Sequence, residues 1–83
     1  MDELRERLVD CFLAVFPDLE RTEVSQANSL TISGWDSVAG VTLIAVVEEE
    51  FGISIEVDDL SALTSYEGYL KYLQNEPNLV RAY

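Results

Sequence analysis

The chain has 83 residues, 48% of them hydrophobic, and its sixteen acidic side chains against five basic ones leave a formal net charge of −11. A chain of this length forms one domain over residues 1–83 and buries roughly 60–65% of the surface it exposes when unfolded. The charge balance argues against nucleic-acid binding, because phosphates are neutralised by Lys and Arg, and an anionic membrane surface would repel it as well. The longest apolar run, Cys11-Phe12-Leu13-Ala14-Val15-Phe16, stops at Pro17 and is too short to span a bilayer. Cys11 is the only cysteine, so no disulfide can form within the chain. With no apolar leader in Met-Asp-Glu-Leu-Arg-Glu-Arg, the expected compartment is the reducing cytoplasm.

Residues 2 to about 16 carry Leu4, Leu8, Phe12 and Val15 at helical spacing, with Cys11 on the same side. The spacing predicts an amphipathic helix that Pro17 ends, and a Cys11 that acts as a small core hydrophobe rather than a reactive thiol. Pro17 to Trp35 has no sustained period. Its isolated apolar residues, Leu19, Val24, Leu30 and Ile32, predict an ordered loop pinned over the core, with a short helical turn near Glu20 to Val24.

A second helix is expected to start at Ser37 behind an Asp36 N-cap, whose carboxylate can accept from a free backbone N–H. Gly40, Leu43, Ile44, Val47 and Phe51 share one face and are assigned to the core. Val38, Val41 and Ala45 form a second apolar stripe that runs on into Glu48 and Glu49. A helix apolar on two sides is fully buried or offers one side to a partner, and a chain this small has little with which to bury both.

Gly52 suits the left-handed position after the last turn. Ile53, Ile55 and Val57 alternate as in a strand, but a single strand has nothing to pair with. An extended linker and a short helix near Asp58 to Ala62 are expected instead. Thr64 and Glu67 fit a capping box for a last helix with Tyr66, Tyr69, Leu70 and Leu73 on its apolar face and Tyr72 at the margin. The tail from about residue 77 to 83 is expected to fray.

The charge is distributed unevenly. Between Arg21 and Lys71 there is no basic residue and there are nine acids: Glu23, Asp36, Glu48, Glu49, Glu50, Glu56, Asp58, Asp59 and Glu67. Such a face suits a protein partner with a basic patch, recruited by long-range attraction; solubility alone would also account for it. The chain contains no histidine, which removes Ser-His and Cys-His nucleophilic sites and histidine-bound zinc. Carboxylate-only catalysis needs a cleft that four short helices hardly provide. No segment has the spacing of a calcium-binding EF-hand loop, and no metal site is expected.

Trp35-Asp36-Ser37-Val38, the hydrophobic helix after it, Glu48-Glu49-Glu50-Phe51-Gly52-Ile53 and the capped last helix, in that order, resemble the acyl carrier protein family from about Leu4 to Leu73. The resemblance implies an all-α, four-helix bundle of acyl-carrier type, with a long loop between helices 1 and 2 and a short third helix. It implies that Ser37, beside Asp36, takes a covalent 4′-phosphopantetheine arm whose thiol holds acyl groups as thioesters, and that the chain is no enzyme. The implied partners are a phosphopantetheinyl transferase and acyl-transferring or condensing enzymes with basic patches. They would meet a monomeric carrier at Val38, Val41, Ala45, Glu48 and Glu49. Val38 stands where the family usually has Leu, and Ala39 and Thr42 where fatty-acid carriers often have acids. Gly40 weakens the helix by roughly 1 kcal/mol relative to Ala. These departures suggest a specialised fatty-acid or polyketide-like pathway. An unmodified acidic adaptor with the same fold is the alternative.

Overall fold

The computed structural model describes residues 3–32 and 34–75, of Val57 the backbone alone. The frayed tail expected after residue 77 lies outside them. Three α-helices, α1 (Glu3–Val15), α2 (Ser37–Phe51) and α3 (Tyr66–Gln74), are joined by two 3-10 segments, η1 (Arg21–Gln26) and η2 (Val57–Ala62). Among the described residues there is no strand, only an isolated antiparallel bridge between Asn28 and Ser65. The described residues are thus all-α in class.

α1 is the hub, packing against α2, η1 and α3. Its Leu8, Cys11 and Phe12 are buried, as the helical spacing requires. Phe12 is the centre of an aromatic cluster: the rings of Trp35, Tyr66 and Tyr69 each meet it edge-on with centroids 5.6 Å away. Edge-to-face pairs of this kind add about 0.5–1.5 kcal/mol each beyond the area they bury. Leu43, Val47 and Phe51 of α2 and Tyr66, Tyr69 and Leu73 of α3 complete the core.

The long connection is ordered, and Val24 and Ala27 of η1 and its exit are buried. Two backbone bonds fasten it to the start of α3: Ser29 N–H donates to the Thr64 carbonyl at 2.8 Å and Tyr66 N–H to the Ala27 carbonyl at 2.9 Å. Leu30, expected to be a pinning residue, is instead 95% exposed. The Asn28 carboxamide oxygen accepts from the N–H groups of Leu30 and Thr31 at 2.8 and 3.1 Å. That side-chain turn reverses the backbone and carries Leu30 outward, leaving Ile32 to return to the core.

The segment after α2 is extended and unpaired, as expected, and the short helix that follows is a 3-10 segment. The last cap differs from the reading of Thr64. Ser65 caps α3, its hydroxyl accepting from Gly68 N–H at 2.9 Å. The carbonyl of Thr64 is already taken by the loop, so the helix starts one residue later, and Gly68 stands where a capping box would need Glu. A side chain on Gly68 would collide with the backbone carbonyl of Ala62, so glycine is what lets α3 approach the end of η2 closely.

Candidate functional site

Ser37 is the first residue of α2 and is exposed. Three local features hold it there. Asp36, in extended conformation, accepts from Ala39 N–H through its carboxylate at 2.9 Å, and its carbonyl takes Gly40 N–H at 2.9 Å. Trp35, one residue earlier, lays its indole on Phe16 at 5.3 Å between centroids as well as on Phe12. Gly40, one turn on, faces that indole, and a Cβ built there would meet the indole nitrogen at an ordinary contact distance of 3.5 Å. The backbone entering the helix is thus fixed to α1 while the serine hydroxyl faces out. Trp35 was not singled out from sequence as a positioning residue; the lone tryptophan immediately ahead of an N-cap was the available signal.

The amides of Ser37 and Val38 precede the helix's own hydrogen-bonding ladder, and the positive end of the helix dipole lies with them. Both favour an anion such as a phosphodiester at this terminus. No basic residue occurs between Arg21 and Lys71. Arg21 is held at the acids of α1, 2.7 Å from Glu6 and 2.8 Å from Asp10, and Lys71 pairs with Glu67 at 3.4 Å. The two described surface grooves, one between η1 and α3 and one beside the end of α1, do not include Ser37.

The second stripe of α2 is exposed as the sequence predicts: Val38 is 73% and Val41 67% accessible, and Ala45 and Glu49 are also exposed. Thr42 returns its hydroxyl to the Val38 carbonyl at 2.9 Å, which makes the upper half of this face more apolar than its composition suggests. Glu48 differs from its neighbour. It is half-buried, and its carboxylate accepts from Ile55 N–H at 2.7 Å, tying the extended segment back to the helix. The far end of α2 is bolted to α1 by Arg7. Its guanidinium donates to the Glu50 carboxylate at 2.7 Å and to the Glu50 carbonyl at 2.6 Å, and lies 4.9 Å from the centre of the Phe51 ring. Gly52 then turns the chain in the left-handed conformation, φ 66°.

Cys11 is buried, and burial, with the nearby Glu50 and Asp10 carboxylates, pushes its thiol up to about 12. It is no nucleophile at neutral pH. Among the described residues no cluster of three or more acidic or cysteine side chains is placed to hold a metal ion, and no helix is long and apolar enough to cross a membrane.

A family model described as a phosphopantetheine attachment site matches residues 6–73, and the chain belongs to that family. It is a carrier domain rather than an enzyme, and it holds 4′-phosphopantetheine covalently. Neither a curated protein nor a solved structure matches the chain.

Proposed function

We propose that Ser37 is the residue that bears the phosphopantetheine arm and that the domain, a monomeric four-helix carrier of acyl-carrier type, conveys acyl thioesters between partner enzymes. The observation that carries this reading is the exposed Ser37 hydroxyl at the first turn of α2, directly after the Asp36 cap. The chain supplies an acceptor hydroxyl and an anion-tolerant helix start; with no histidine, the base that removes the serine proton comes from the phosphopantetheinyl transferase. When bound, the arm supplies a thiol on which acyl groups are held. No basic residue stands between Arg21 and Lys71 in the chain, and both of these are held at acids of their own, which favours an arm that swings toward a partner.

Val38, Val41 and Ala45 with Glu49 form the surface that partners read. Acyl-transferring and condensing enzymes would meet the apolar half beside their active-site mouth and the acidic half with a basic patch farther away. The apolar Val38–Thr42 surface favours a specialised fatty-acid or polyketide-like pathway over housekeeping lipid synthesis, and the lone buried thiol suits the cytoplasm. Incubation with coenzyme A and a broad-specificity phosphopantetheinyl transferase, followed by intact-mass measurement, tests the assignment. One phosphopantetheine is expected on the wild type and none on Ser37→Ala. An unmodified wild type would leave an acidic adaptor using the same stripe, and modification of Ser37→Ala would place the arm elsewhere.

A further inference from the structure

Gly40 stands inside α2, where glycine weakens a helix relative to alanine, and the packing around it does not ask for one. An added Cβ would meet only the Trp35 indole, at an ordinary 3.5 Å from the nitrogen and 3.9 Å from the adjoining ring carbon. What a side chain here would do is cover. Side chains on a helix lean toward its N-terminus and lie over the preceding turn, which at position 40 is the turn that begins with Ser37. The glycine keeps open the space between Ser37 and the indole nitrogen.

That nitrogen is a donor in want of an acceptor. Trp35 is half-buried, its ring set against Phe12 and Phe16, and a tryptophan N–H so placed ordinarily finds a partner. Among the described residues it has none, yet it is not sealed in the core as the unpartnered Tyr69 hydroxyl is. The Asp36 carboxylate, next in the chain, is committed to Ala39 N–H at 2.9 Å. Residues three apart on a helix have Cβ positions about 5–6 Å from each other, so a donor in contact with the Cβ position of residue 40 lies one turn from the Ser37 side chain. The first polar group of an arm on Ser37 is its phosphodiester, and a hydrogen bond to an ionised oxygen is among the stronger ones a neutral N–H can make.

We propose that Trp35 is a binding residue for the arm: its indole N–H donates to a phosphodiester oxygen on Ser37, and position 40 is glycine so that the oxygen can reach it. One neutral donor at the base of the arm seats the phosphate and leaves the thiol end to swing. This rests on the carrier reading above. Its test loads 15N-labelled protein with phosphopantetheine from coenzyme A, confirms loading by intact mass, and follows the indole proton and the 31P resonance of the phosphodiester. The lone tryptophan gives a single indole signal. In the wild type, loading should slow exchange of that proton with water several-fold and move its resonance downfield. In Gly40→Leu, whose side chain reaches back over the first turn, loading should do neither. In Trp35→Phe, which keeps a ring on Phe12 and Phe16 and loses the donor, the 31P resonance should move toward its position in the urea-unfolded loaded protein.

An indole proton that exchanges equally fast before and after loading of the wild type overturns the proposal. So does slowing that survives in Gly40→Leu, or a 31P resonance that is the same in Trp35→Phe and wild type. Failure of the wild type to take up the arm is a different result: it removes the carrier reading itself, and this inference with it.

Discussion

Reversing the charge at Glu49 should slow arm transfer without weakening the fold, whereas the same change at Glu48 should do both. The two residues are adjacent, but only Glu48 has its carboxylate on a backbone amide, Ile55 N–H at 2.7 Å in a half-buried position. A hydrogen bond to a charged group contributes about 1.5–3 kcal/mol. Glu48→Lys should therefore lose about 2 kcal/mol, a fall in Tm of about 8–16 °C for a domain of this size. Glu49 is exposed, and substitution there should stay within about 0.5 kcal/mol. Glu48→Gln separates the two effects, since the amide keeps an acceptor and loses the charge. Urea melts measure the stability arm. The rate of phosphopantetheine transfer, at low salt and at about 1 M, where the Debye length falls to about 3 Å, measures the docking arm. If Glu48→Lys melts with Glu49→Lys, the clamp on Ile55 contributes nothing. If Glu49→Lys is modified as fast as wild type at low salt, attraction to a basic patch does not drive docking.

The two helical glycines should respond with opposite signs. A Cβ on Gly40 meets only the Trp35 indole at an ordinary 3.5 Å, so Gly40→Ala should gain about 1 kcal/mol from helix propensity. Gly68→Ala must displace the Ala62 carbonyl and should lose about 2 kcal/mol, within the range for overpacking; urea melts that move in the same direction would refute this packing. Cys11 should resist iodoacetamide at pH 8 in the folded protein and react readily in urea. Because folding raises its pKa from 9.0 to about 12, the neutral thiol's contribution to stability is complete below pH 9 and is lost as pH climbs to about 12. Alkylation of the native protein at the unfolded rate would show that the thiol is reachable.

The features legible in the sequence were those decided within one turn of backbone. Pro17, the Asp36 cap and the left-handed Gly52 each act on their immediate neighbours, so the bounds of α1 and α2 followed from residue type. The burial of Leu8, Cys11, Phe12, Leu43 and Val47 followed from helical spacing. What was not legible depended on distant partners. Thr64 and Ser65 can both cap a helix, and the choice falls to Ser65 because Ser29 and Ala27, far off in the chain, bond to the backbone around them. Leu30 looked like another anchor because nothing in its own identity reveals that Asn28 will turn the chain outward there. The alternation of Ile53, Ile55 and Val57 makes no strand. The amide of Ile55 finds the Glu48 carboxylate in place of a neighbouring strand, which answers where that backbone donor goes.

The same division explains how α2 can be apolar on two sides and still leave one exposed. Its entry is fixed by Trp35 on α1 and by the Asp36 cap, its exit by Arg7 on Glu50 and by Glu48 on Ile55, and its middle by Leu43 and Val47 in the core. None of these attachments uses the side chains of Val38, Val41, Ala45 or Glu49. The helix therefore has no structural need of that stripe, and a stripe free of structural duty can vary with the partner. The stability of Val38→Ala and Val41→Ala should accordingly stay close to wild type, well short of the 2–5 kcal/mol that truncating a buried Leu or Ile costs. Large losses from either change would mean that the stripe is part of the core, and the surface through which partners recognise this carrier would have to be sought on another face.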